Sequence, residues 1–212
     1  MNIYRPIIGN LVENKDINKL IDDYKTEGTL VENIQFINLE EYDLSSEDVE
    51  YEKCIFKNCK ISGNFEKATF HDIIFENCDF SNCVFTEGSF IRVEIRNSKF
   101  VGCNFTDSRV YHFISKESLL CYANFSHTNL EEMIFEECDL SNTCFDECKM
   151  KHIYFEDSKM IRTQFFRTKL NGIDFSSNEL SGIVTSIEDL KGAIVNNFQA
   201  IELSKLLGIV IK

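Results

Sequence analysis

The residues best equipped for chemistry are nine cysteines, four histidines and several adjacent carboxylates. Clustered thiols and imidazoles would hold zinc, which needs ligands at short spacing. A Cys or Ser oriented against a His would make an activated nucleophile. Paired acids such as Glu136-Glu137 could do acid–base work if a cleft shifted one of them. The spacing argues against all three. There is no C-x-x-C pair, and His71, His112, His127 and His152 stand far apart with no partner nucleophile at a defined distance. The nine glycines are scattered and form no phosphate-cradling loop. What the cysteines do share is a phase: Cys54, Cys59, Cys78, Cys83, Cys103, Cys138 and Cys148 all occupy one position of a repeat.

That repeat has a period of five. Stepping from Phe65 to Leu180 by fives meets large apolar residues throughout and uses most of the 19 phenylalanines; only Ser115 breaks the column. Neither a helix nor a strand has this period, so a solenoid is required. The residue two before each centre is the second inward position. It is small or short in three repeats of every four and bulky in the fourth: Ile73, Val93, Phe113, Met133, Ile153, Ile173. Four repeats therefore close one turn, and the cross-section has four faces. Phe113 is bulky where Ser115 is small, which predicts a local exchange of volume with no insertion. The seven phased cysteines then fill sites that need a small apolar group, and the four histidines fall outside. Upstream, Tyr51, Phe56 and Ile61 continue the pattern one residue out of phase, so a one-residue deletion is expected near Gly63. Residues 37–48 fit neither register and read as a loop or an irregular first coil.

An open solenoid end exposes its core and needs a cap. Residues 14–25 read as an amphipathic helix with Asp16 as N-cap, Ile17, Leu20, Ile21 and Tyr24 on one face, and Gly28 as the stop. At the other end, Asn196 or Asn197 caps a helix through Leu207, Gly208 ends it, and Ile209-Val210-Ile211 reads as a β-type tail. This C-terminal helix either plugs the rod or joins two rods. The chain divides into an N-terminal segment with a capping helix (1–30), a repeat domain (31–182) and a C-terminal helix and tail (183–212).

The net charge of −13 repels nucleic acid and anionic membranes and favours basic partners. No long apolar run or signal pattern is present, and an odd number of cysteines suits reduced thiols, so a cytoplasmic location is expected. The acidic excess of the repeats is concentrated at 131–157, where nine carboxylates face only Lys149 and Lys151. Glu76, Glu136, Glu137, Glu156 and Asp157 fall on the face with the bulky inward residues, and Glu131 and Glu132 on the face beside it.

Stretches such as Ala123-Asn124-Phe125-Ser126, Cys138-Asp139-Leu140-Ser141-Asn142 and Cys103-Asn104-Phe105 resemble the pentapeptide-repeat family, whose motif is A(D/N)LXX. The resemblance covers residues 49–180 and implies an all-β solenoid, a right-handed quadrilateral β-helix with helical caps at both ends. Within the family the chain looks most like the quinolone-resistance (Qnr) branch, through Val93-Glu94-Ile95-Arg96, Tyr122-Ala123-Asn124-Phe125-Ser126, Asp189-Leu190-Lys191-Gly192-Ala193, Asn197-Phe198-Gln199-Ala200 and Leu206-Leu207-Gly208-Ile209.

That likeness implies a non-enzymatic, acidic DNA mimic that binds DNA gyrase or topoisomerase IV and protects it from fluoroquinolones or gyrase toxins. The alternative is a scaffold for another protein partner. Glu131, Glu132, Glu136, Glu137, Asp146, Glu147, Glu156 and Asp157 are the expected partner-binding residues. A homodimer is expected through Phe198, Ile201, Leu203, Leu206, Leu207, Ile209 and Ile211. No cofactor, metal or nucleic acid is expected.

Overall fold

The computed structural model describes residues 3–210. The chain winds into a right-handed quadrilateral parallel β-solenoid of about 7 turns. Strand β1 (Val12–Glu13) precedes helix α1 (Ile17–Glu27). Then come β2 (Val31–Glu32), β3 (Ile34–Ile37), β4 (Glu40–Ser45), β5 (Glu50–Lys57) and β6 (Lys60–Asn64). One long strand per coil follows: β7 (Thr69–Glu76), β8 (Ser89–Arg96), β9 (Arg109–Lys116), β10 (Asn129–Glu136) and β11 (Lys149–Glu156). Helix α2 (Asn197–Ser204) and a short 3₁₀ turn (Lys205–Leu207) close the chain. All pairing is parallel. The main sheet runs β1-β3-β5-β7-β8-β9-β10-β11 with β2 also on β5, and β4 pairs β6 separately. Among the described residues no helix is long and apolar enough to cross a membrane.

The core follows the period of five. Phe65, Phe85, Phe105, Phe125, Phe145 and Phe165 form one column of stacked rings, with centroids 4.6–5.3 Å apart. That spacing equals the distance between neighbouring strands, so each ring lies flat on the one beneath it. At the weak point the ladder stays in register: Ile95 pairs Ser115 and Ser115 pairs Phe135. Ser115 and Phe113 are both buried, as the exchange of volume requires.

The small inward positions are more than space-fillers. Thr128 Oγ1 donates to the Phe105 carbonyl (2.9 Å), Thr143 Oγ1 to Leu120 (2.8 Å), Thr163 Oγ1 to Leu140 (2.8 Å) and Thr168 Oγ1 to Phe145 (2.6 Å). Cys103 Sγ and Cys148 Sγ make the same bond to Phe80 (3.0 Å) and Phe125 (2.9 Å). Each side chain thus satisfies a carbonyl of the coil before it, which explains why Cys, Ser and Thr outnumber Ala there. The expectation of a purely apolar filler is corrected accordingly.

At almost every corner the residue two after the centre has a positive φ, from Asn33 (57°) to Arg167 (55°). Left-handed backbone costs an L-residue about 1–2 kcal/mol. The amide at that corner is satisfied by the next coil, as in Asn82 to Val101 (2.8 Å) and Glu87 to Thr106 (2.9 Å).

Residues 37–48 are not a loop. Glu40–Ser45 pairs β6, with a shift in register between Glu41 and Leu44. Partners are 20 residues apart at Glu40–Lys60 but 19 at Leu44–Gly63, and 19 again at Glu50–Thr69. The coil through Gly63 is therefore one residue short, where the sequence requires it. A Cβ on Gly63 would lie 2.2 Å from the Leu44 carbonyl, so the tight crossing excludes any other residue.

Helix α1 is capped by the Asp16 side chain and ended by left-handed Gly28, and its Ile17 and Ile21 are buried. At the far end the ladder continues past residue 182: Gln164 bridges Val184 and Asp174 bridges Ile194. Helix α2 then covers the last coil. Its N-cap Asn196 and Gln199 form a reciprocal capping box, and buried Gln199 donates from Nε2 to the Phe175 (2.8 Å) and Asn178 (2.7 Å) carbonyls. Ile209 and Val210 form no strand, correcting the expected β-type tail; Ile211 lies outside the described residues.

Candidate functional site

The acidic band lies where the coils stack, and stacking decides its net charge. Residues one coil apart at the same repeat position become neighbours. Glu131 pairs with Lys151, Glu136 with Lys116, Glu132 with His152 (2.6 Å) and Glu147 with Arg167 (3.1 Å). Asp146 Oδ1 accepts the Phe166 amide at 2.7 Å. Three of the eight expected carboxylates, Glu131, Glu136 and Glu147, are thus compensated by Lys or Arg across coils, and Glu132 is hydrogen-bonded to the His152 ring. One Glu132 oxygen, Oε2, is buried and accepts no hydrogen bond from any described residue.

The remaining charge converges on one corner. Glu137 and Asp157 occupy it on successive coils, and Glu117 occupies it one coil earlier; all three are exposed, with φ of 53°, 46° and 49°. None forms an ion pair among the described residues. The same corner holds Asn58, Asn77 and Asn97 nearer the N-terminus, where the side-chain amides bond in a ladder (3.2 and 2.8 Å). The column thus changes from neutral amides to carboxylates halfway along the rod. Exposed Glu156 flanks it on β11. Sequence reading missed Glu117, although its place 20 residues before Glu137 was the signal. Asp146 and Glu147 lie apart from this column, at the turn before β11.

The C-terminal end presents the other candidate surface. Phe198 is 84% exposed and Leu207 59%, with Ile201, Leu206 and Ile209 also exposed. Leu203 does not belong with them: it is partly buried and packs against the solenoid core.

Most of the buried thiols are held as sulfhydryls; Cys59 is the exception, because its neighbour Cys78 outweighs burial and lowers its pKa. Burial pushes Cys54, Cys83 and Cys148 up to about 12 and raises Cys138 as well. Such groups are poor nucleophiles. Among the described residues no three His, Cys, Asp or Glu side chains are grouped to hold a metal ion.

One feature of the surface has no counterpart in the period of five. Residues 4–7 pass from coil to coil across the main sheet, while Val12–Glu13 join that sheet as parallel strand β1. Val12 pairs Ile34, the Ile7 amide donates to Asp72 Oδ1 (2.9 Å), Arg5 reaches Glu94 (3.8 Å) and the Tyr4 amide reaches His112 Nδ1 (3.4 Å). Beneath this arm, outward positions are buried: Asp72 and Glu94 are each 1% exposed and His112 4%. The expectation that all four histidines face solvent therefore fails at His112.

Asp72 is gripped by both arms of the Arg92 guanidinium at 2.7 Å, and Glu94 by Arg96 at 2.8 and 2.9 Å. Burial alone would raise the Asp72 carboxyl, but Arg92 and the Ile7 amide outweigh it and hold it below its ordinary value.

A model described as "Pentapeptide repeat region" matches residues 128–204, and one described as "Pentapeptide repeats (8 copies)" matches residues 64–107. Among solved structures, the chain is similar to full-length QnrB1, a plasmid-mediated fluoroquinolone resistance protein. The identity is 25%, over 84% of this chain and 89% of that chain, with a TM-score of 0.49. It is also similar to HetL, a pentapeptide repeat protein involved in heterocyst differentiation regulation from the cyanobacterium Nostoc. There the identity is 11%, over 87% and 98%, with a TM-score of 0.38. No curated protein matches the chain.

Proposed function

Because the chain belongs to the pentapeptide-repeat family, we propose that it is a non-enzymatic acidic rod that docks on DNA gyrase or topoisomerase IV where DNA would lie. The observation that carries this reading is the uncompensated corner of Glu117, Glu137 and Asp157. Strands stack about 4.8 Å apart, so three carboxylates recur along a straight edge at a spacing comparable to phosphates on a nucleic-acid strand. A basic saddle shaped for duplex DNA meets a similar row of negative charge there. The exposed apolar residues of α2 and the turn after it support end-to-end pairing of two rods, with an acidic edge on each side of the junction.

A supercoiling assay tests the reading. Purified protein is expected to restore gyrase supercoiling in the presence of a fluoroquinolone, and the triple variant Glu117→Gln, Glu137→Gln, Asp157→Asn to lose that effect while melting at an unchanged or higher temperature. Protection retained by the triple variant would overturn it.

The second reading, an interaction module for another basic protein, is favoured by the pairing of Glu131, Glu136 and Glu147 with cations one coil away. A surface partly neutralised in this way is less uniform than DNA. That reading expects no drug protection and a different protein retained by the wild-type rod but not by the triple variant.

A further inference from the structure

The arm is short for the distance it covers. Between Ile7, at Asp72, and Tyr4, at His112, three residues span two inter-coil steps of about 4.8 Å, close to the reach of a fully extended chain. Pro6, the only proline of the chain, favours this shape. It fixes its own φ, pushes Arg5 into extended backbone and has no amide hydrogen that needs an acceptor. The two amides that do point into the groove, those of Tyr4 and Ile7, each find one.

The groove under the arm is built for such a segment. Its floor holds two carboxylates at outward positions, Asp72 and Glu94, each already paired with one arginine of the solenoid. Glu94 accepts a second guanidinium from outside, that of Arg5. The His112 and Tyr4 rings meet nearly perpendicular, with centroids 4.8 Å apart at 84°. The burial is local to the arm. One and two coils further on, Ile134 is half-buried and His152 and Tyr154 are exposed, although the repeat places them identically. The arm is open to displacement from its outer side: Arg5 is 64% exposed and its ion pair is long, at 3.8 Å.

We infer that the groove over Asp72, Glu94 and His112 is a binding site for an extended, arginine-bearing segment of a partner protein, occupied in the free chain by residues 3–7. An incoming segment with an aromatic residue, an arginine and a following proline or apolar residue would make the same contacts and displace the arm. This site is independent of the corner at Glu137 and of whether the partner is a topoisomerase.

The test uses the full-length chain and a fluorescent peptide copying residues 3–11. Binding is read by anisotropy for wild type, Arg5→Glu and the double variant Arg5→Glu, Glu94→Gln. Arg5→Glu places a second carboxylate beside Glu94 and releases the arm without touching the core. It is expected to bind the peptide at least about tenfold more tightly than wild type, a difference of about 1.4 kcal/mol. The double variant is expected to lose most of that binding. Amide exchange at Ile7 in the peptide-free proteins reads release of the arm separately, and it should be faster in Arg5→Glu. Equal binding by wild type and Arg5→Glu, no binding by either, or full binding by the double variant would each overturn the inference.

Discussion

The ring of Tyr4 stands nearly perpendicular to that of His112, 108 residues away in the chain, and its amide points at the imidazole Nδ1. The contact requires a neutral imidazole, because Nδ1 must carry a lone pair toward the Tyr4 amide.

That requirement gives the arm a pH dependence. Burial, with a smaller contribution from Arg92, lowers the His112 pKa below its ordinary 6.5, while Glu132 and Glu131 oppose the shift. A depressed histidine pKa means that the undocked form binds the proton more tightly. Docking is therefore at full strength above about pH 6.5 and is lost as the pH falls through the lower, docked value. Amide exchange at Ile7, corrected for intrinsic rate, should accelerate between about pH 7 and pH 5, and His112→Gln should remove most of that change. A pH-independent exchange ratio would exclude His112 as the titrating group.

The inward hydroxyls should matter as donors. Thr143→Val keeps the shape but leaves the buried Leu120 carbonyl without its side-chain partner. The Ala123 amide still donates to that carbonyl (3.0 Å), so a loss of about 0.5–1.5 kcal/mol is expected in urea unfolding, against near-neutrality for a Thr→Val change at an exposed strand position.

The phenylalanine stack should be sensitive at its centre. Phe125 lies between Phe105 at 4.6 Å and Phe145 at 5.1 Å, so Phe125→Ala removes two stacking partners and opens a cavity. The expected cost is about 3–5 kcal/mol, measured by chemical denaturation.

The acidic corner should trade stability for charge. Asn tolerates left-handed backbone better than Glu, and it already forms the ladder at Asn58, Asn77 and Asn97. Glu117→Asn with Glu137→Asn is therefore expected to raise stability by about 0.5–1 kcal/mol per site, while weakening any basic partner bound there. Added salt should stabilise wild type more than this variant.

At the C-terminal end, Phe198→Asp with Leu207→Asp should halve the mass seen by light scattering if two rods pair there, with little change in melting. Gln199→Ala should instead lower stability, because it removes the side-chain donor to the Phe175 and Asn178 carbonyls.

The column of centres, the one-residue deletion, the Asp16 and Gly28 caps of α1 and a cap of α2 at Asn196 or Asn197 were all legible in the sequence. Each is fixed by residues a few positions apart or by a strict period. What escaped was of two kinds. The compensation of Glu131 by Lys151 and of Glu136 by Lys116 depends on pairs 20 residues apart, which a local count of charge does not register. The burial of Asp72, Glu94 and His112 depends on Ile7, Arg5 and Tyr4, which carry no repeat signal. A period describes neighbours along the ladder; it is blind to a tail that returns across it.

The arm also acts as a gauge of the rod. Its anchor at Val12–Ile34 and its tip at Tyr4–His112 are separated by a fixed number of turns and a fixed stretch of chain that is nearly taut at the tip. Gain or loss of one whole turn between β5 and β9 would leave every stacked ring with a neighbour, yet carry the docking pockets out of reach of the side chains that fit them. Turns added beyond β10 would carry no such penalty, so the C-terminal half is the part of the molecule free to change length.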